Sequence, residues 1–194
     1  MSNNLTQSLT LLELLITLII LSIVGLFIGN VEIMVRRDIM ASDQRIRLSN
    51  DTSYILEHMK KNIGSAIGDI NQPPVTIEQV GFPTPLWKRI RVRIDSNLNG
   101  LRDPADIEIA YQWFGFIYIY NVRFISNFPA ILLGELLSSK INSFNISYNP
   151  TNNYVDVSLV ACWDPDGNPY ACGTSRNPSV TMQSRIYMPS VSTH

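Results

Sequence analysis

From residue 9 to residue 28 the chain reads LTLLELLITLIILSIVGLFI, twenty positions of almost unbroken aliphatic character with one carboxylate, Glu13, near the start. A helix rises about 1.5 Å per residue, so this stretch spans roughly 30 Å, the thickness of a bilayer's hydrocarbon core. After Gly29 and Asn30 the sequence turns polar but keeps a helical rhythm: Val31, Met34, Val35, Ile39 and Ile46, then Leu56, Met59, Ile63 and Ile67. Spacings of three and four place these on one stripe, with Arg36, Asp43, Arg45, Glu57 and Lys60 largely off it. The two stretches predict one rod over residues 9–67, roughly 90 Å long, ended by Gly64, Gly68 and the Pro73-Pro74 pair. Gly25, Gly29 and Asn30 mark either a bend or a place where helices pack closely.

From Thr76 the period changes to two. Residues 89–94, RIRVRI, alternate strictly, with Ile90, Val92 and Ile94 on one face and Arg89, Arg91 and Arg93 on the other. Residues 107–111 repeat the pattern after a polar loop, which predicts an antiparallel hairpin. Further strands are predicted over 116–124, over 142–148 and 154–161 around an Asn-Pro-Thr-Asn-Asn turn, and over 180–188, with a short helix or turn over 131–137. The class is α+β: a long N-terminal helix laid on an antiparallel β-sheet. About 125 residues follow the helix, enough for one domain with its own core.

Glu13 sets a chemical problem. An ionised side chain that deep costs about 2.5 kcal/mol or more, and such groups find a partner. Residues 9–28 contain no Lys or Arg. Cleavage after Ser8 would place a new α-amine on Leu9 one helical turn from Glu13, and in an assembly a neighbour's amine would serve equally. An uncleaved signal anchor and a secretory signal peptide are the plainer readings; the second wants a basic start, a shorter apolar core and a small-x-small cut site, and nothing after Ile28 reads that way.

The run Ser8-Leu9-Thr10-Leu11-Leu12-Glu13 resembles the class III signal of type IV prepilins and pseudopilins, with Ser8 where Gly is usual. Residues 136–148, LLSSKINSFNISY, resemble the segment leading into a strand in W-type minor pilins and J-type pseudopilins. The resemblance implies removal of a leader (residues 1–8) and N-methylation at Leu9 by a prepilin peptidase. Residues 9–30 then form the membrane half of the helix, 31–68 its amphipathic half and 75–194 the sheet domain. The implied partners are other pilin or pseudopilin subunits, an inner-membrane assembly platform and lipid. The implied place is the bacterial inner membrane, single-pass, with the sheet domain in the periplasm or at a filament tip outside the cell. In that topology Cys162 and Cys172 lie outside the cytoplasm, where a disulfide is expected. The implied function is a minor pilin or pseudopilin of a type IV pilus or type II secretion pseudopilus. The alternative is a membrane-anchored, calcium-stabilised binding or adhesion module.

Residues 95–106 have the spacing of a twelve-residue calcium loop. Asp95, Asn97, Asn99, Asp103 and Asp106 offer side-chain oxygens, Leu101 its carbonyl, and Gly100 the turn. Asp106 stands where Glu is usual and the flanks are strands, so a structural calcium ion and an unliganded polar turn are both open readings; the family resemblance adds a comparable loop. Residues 164–168, DPDGN, read as a second ion loop or as a bridged turn.

Net charge narrows the remaining chemistry. A formal −1 gives no general case for nucleic acid, leaving only the Arg89, Arg91 and Arg93 face with Lys88 and Trp87, read as a solvated strand face or a contact for DNA or an acidic subunit. Trp113, Tyr118 and Tyr120 are candidates for an interface or for the core. With only two histidines, and no nucleophile, base and orienter grouped together, no enzymatic activity is expected.

Overall fold

Leu48, Thr52, Ile55, Met59 and Ile63 recur at steps of four and three, and in the computed structural model they are the buried face of one α-helix, α1 (Leu11–Gly64). Residues 11–68, 72–80, 87–96, 106–116, 119–126, 134–164, 172–174 and 177–189 are described. The chain divides into two compact units, Met1–Ser42 and Asp43–His194. The first contains the N-terminal part of α1, whose side chains stand exposed almost throughout. The second contains the rest of α1 and eight strands: β1 (Val75–Val80), β2 (Trp87–Ile94), β3 (Ile107–Phe116), β4 (Ile119–Ile125), β5 (Glu135–Ser138), β6 (Ile141–Asn149), β7 (Tyr154–Cys162) and β8 (Ser179–Tyr187). The fold is α+β, as the change of period predicts.

The buried stripe begins later than the sequence pattern suggests. Val31, Met34, Val35, Ile39 and Ile46 are exposed, whereas Leu48 and Ile55 are wholly buried. Apolar spacing marks a face but not what covers it, and in the second unit the covered face starts at Leu48. The helix also stops three residues short of Ile67. Ser65 Oγ donates to the carbonyls of Lys61 and Asn62 at 3.2 and 3.0 Å, closing the last turn. The backbone then turns extended: Ala66 bridges Ile94, and Ile67 N–H donates to Arg93 O at 3.0 Å. A Cβ on Gly68 would sit 2.6 Å from Pro74 N, so only glycine fits where the chain passes itself.

Strands β1 to β5 form a five-stranded sheet in sequence order and β6 to β8 a three-stranded one, with neighbouring strands antiparallel in both. The expected hairpin of residues 89–94 with 107–111 is present, with Ile94 opposite Ile107. Two expectations are corrected. The aromatic run 116–124 is not one strand: β3 ends at Phe116, which pairs with Ile119 at the start of β4. Residues 135–137, expected in a helix or turn, belong to β5 against β4, with a bulge between Val122 and Arg123. Of that segment, 131–133 lie outside the described residues.

The core joins α1 to both sheets. Ile55, Met59 and Ile63 cluster with Ile90, Val92 and Tyr111 of the first sheet and Phe144, Val157 and Leu159 of the second. Trp113 Nε1 donates to Ile141 O at 2.7 Å, tying β3 to the start of β6. Its ring folds over Gly115, where a side chain would collide with it. Trp113 is therefore a core residue; Tyr118 lies outside the described residues, as does the side chain of Tyr120.

Candidate functional site

The first unit is defined by apolar surface. A window of α1 has mean hydropathy 2.8 with none of it buried, and this helix is long and apolar enough to cross a membrane. Leu11 is 83% exposed, Leu26 71% and Phe27 70%, values that in water would oppose folding and in oil match the solvent. The hydroxyls within it are satisfied internally: Thr17 Oγ1 donates to Leu14 O and Ser22 Oγ to Leu18 O, both at 2.8 Å. Glu13 lies in the first turn, where a carboxylate also meets the positive end of the helix dipole. Ser8 and Leu9 lie outside the described residues. Beyond the apolar stretch, Arg36 grips Glu32 one turn back at 2.6 Å.

The calcium-type loop is seen only at its ends. Asp95 and Asp106 flank the paired Ile94 and Ile107, so the ladder brings the first and last donors of the loop to the same end of one hairpin. Asp95 is 9% exposed. Asn97, Asn99, Leu101 and Asp103 lie outside the described residues.

Cys162 and Cys172 are joined in a disulfide. Asn177 braces its base: its carboxamide oxygen accepts from Asp164 N–H and its Nδ2 donates to Asp164 O, both at 2.8 Å. Trp163, next in the chain, carries Lys140 Nζ 3.5 Å above its ring. Of the proposed second ion loop only Asp164 is described, and its backbone is held by Asn177.

The arginine face is a lattice of ion pairs rather than a plain solvated surface. Register places Glu78 of β1 beside Arg89, and Glu108 of β3 beside Arg93. Arg91 Nη2 lies 2.6 Å from Glu78 Oε1 and its Nη1 3.2 Å from Glu108 Oε1. Arg89 lies 3.5 Å from Glu78 and donates to Gln112 Oε1 at 3.0 Å. Alternation along β2 showed the three arginines, and Glu108 lies on the strand of the expected hairpin; Glu78 comes from β1, which the sequence did not align with them.

Two further clusters were missed by sequence reasoning. On α1, His58 Nδ1 lies 2.8 Å from the Tyr111 hydroxyl, which also accepts from Asn62 Nδ2 at 2.7 Å and donates to His58 O at 3.0 Å. Phe124 closes on the imidazole edge-on, 4.6 Å between centroids. Burial lowers the His58 pKa, against a nearby Glu135 that raises it and with Lys61 lowering it further. Burial also pushes the Tyr111 phenol well above its ordinary value. The partners lie 53 residues apart, and no local pattern signals the pair.

On the outer face of β6 to β8, a shallow cavity of about 490 Å³ is lined by Asn145, Ser147, Asp156, Ser158, Gln183 and Arg185, among others. Arg185 reaches Asp156 through two hydrogen bonds, at 2.8 and 3.1 Å, and lies 4.1 Å over the Tyr154 ring. That hydrogen bonding holds the Asp156 carboxyl below its ordinary range.

Comparison of the chain with family models, curated proteins and solved structures finds no match.

Proposed function

We propose that the chain is a pilin-like assembly subunit, a minor pilin or pseudopilin held in the bacterial inner membrane by the apolar part of α1 until an assembly machine draws it into a filament. One observation carries this reading. An exposed apolar helix with a carboxylate in its first turn runs without a break into the helix that forms one wall of a sheet domain. A simple anchor needs neither the acid nor that continuity. In this mechanism a prepilin peptidase cuts after Ser8 and methylates Leu9. Glu13 then meets the new amine, its own or a neighbour's, which neutralises the charge in oil and sets register between subunits. The exposed Val31, Met34, Val35 and Ile39 pack against neighbouring helices, and the sheet domain faces outward, in the periplasm or at the filament tip.

The disulfide agrees with an oxidising compartment for the sheet domain. Calcium in the 95–106 loop would act structurally, stiffening the β2–β3 hairpin at the end where Asp95 and Asp106 converge.

Mass spectrometry of the protein purified from its native host tests the reading. A mature N-terminus at N-methylated Leu9 is expected, and a chain still beginning at Met1 overturns it. The competing anchored binding module differs in its response to Glu13→Ala. An anchor keeps its function, whereas the assembly subunit stays in the membrane and fails to enter filaments.

A further inference from the structure

Beside the ion-pair lattice, where the 72–74 bend meets β2, lies a cleft of about 410 Å³. Its walls are Pro73, Pro74, Thr76, Arg91, Arg93 and Glu108, with Gln72 at the rim. We propose that this cleft docks an acidic peptide segment of a partner protein, receiving one glutamate carboxylate on Arg93. The proposal stands apart from the assembly reading, because any partner presenting that side chain would fit.

The charges in the cleft are unevenly committed. Arg91 is held by two acids, Glu78 at 2.6 Å and Glu108 at 3.2 Å. Arg93 has among the described residues a single ionic neighbour, Glu108 Oε2 at 3.9 Å, which is beyond hydrogen-bond length. A guanidinium offers five N–H donors in a planar fork that matches a carboxylate. The Arg93 backbone is fixed, its N–H donating to Pro74 O at 3.1 Å and its carbonyl accepting from Ile67 N–H at 3.0 Å. The side chain is therefore presented from a rigid strand, 30% exposed, over a cleft carrying two arginines and one glutamate.

The same geometry selects the kind of anion. Arg91, Arg93 and Glu108 leave the lining one net positive charge, which a single carboxylate neutralises, whereas a doubly charged phosphate would leave an excess negative charge beside Glu108. The proline rings form an apolar wall suited to the two methylenes of a glutamate stem, and Thr76 supplies a hydroxyl. Glutamate carries its charge at the end of such a stem, which makes it the fitting occupant.

The test uses the full chain in non-ionic detergent micelles, with a fluorescent hexaglutamate peptide as probe, at low ionic strength. Saturable binding is expected, weakened about tenfold by Arg93→Gln, the loss of one charge-assisted pair. Glu108→Gln removes the competing acid and is expected to tighten binding, so the two variants move in opposite directions; a folding defect would weaken both. Arg47→Gln, on the exposed helix, should leave binding unchanged. The proposal is overturned by absence of saturable binding, by equal weakening in Arg47→Gln, by weaker binding in Glu108→Gln, or by tighter binding of a phosphoserine peptide of equal length.

Discussion

His58 sits in an aromatic corner made by Tyr111 and Phe124. Its pKa is lowered from 6.5, first by burial, so the unfolded chain takes up a proton more readily than the native one. The native state is thus favoured above pH 6.5 and loses ground as pH falls through the depressed folded value. Melting curves between about pH 7 and pH 5 should show a step that His58→Gln removes, leaving only the shallower carboxylate contribution. A variant retaining the full step would show that another group is responsible. Packing gives a second residue-scale expectation. Ile55→Ala should cost about 2–5 kcal/mol, because Ile55 is wholly enclosed. Ile46→Ala, 58% exposed, should change the stability of the monomer by less than about 0.5 kcal/mol. Urea denaturation of both variants checks the contrast. The sequence pattern placed Ile46 on the buried stripe, because heptad-like spacing is equally good there; which turns are covered depends on strands far along the chain. Trp113 and His58 were opaque for the same reason, since their partners are a main-chain carbonyl at Ile141 and a phenol at Tyr111.

Among the elements, alternation made β2 and the first part of β3 readable, and the turn at residues 149–153 made β6 and β7 readable on either side of it. The run 116–124 misled because aromatic, β-favouring residues continue across a chain reversal between Phe116 and Ile119. β5 misled because it is only four residues, ELLS, too short to establish a period. The disulfide closes a short loop after β7, its cysteines ten positions apart in the chain. Replacing both cysteines with serine should lower stability by about 2–3 kcal/mol on chain-entropy grounds, measured as a shift in the urea midpoint under oxidising conditions. A reducing agent should reproduce the shift in the native chain and do nothing to the double variant.

For the whole molecule, the division of labour between an apolar helical segment and a sheet domain was visible from pattern alone, since a twenty-residue stretch with one charge admits few other readings and the period then changes to two. The proposed assembly role rests on Glu13, and the measurement that decides it is filament incorporation of Glu13→Ala. Complete loss is expected, with membrane retention unchanged. Calcium is expected to raise the melting temperature and a chelator to reverse the rise; Asp95→Asn together with Asp106→Asn should abolish the difference. Equal melting with and without the ion would mark residues 95–106 as a plain turn. The spacing of the six candidate donors was legible, while their convergence depends on the register of β2 with β3, which fixes only the first and last of them.

The way α1 hands over to the sheet bears on mechanical load. Ala66 and Ile67 are hitched to the end of β2, a strand flanked by β1 on one side and β3 on the other. A pull drawn along the helix is therefore met first at Ala66 and Ile67, whose bonds to the end of β2 must break before the tension reaches β1, the edge strand next in the chain. Those few bonds act as a clasp that shields the edge of the sheet from the first part of any load on the helix.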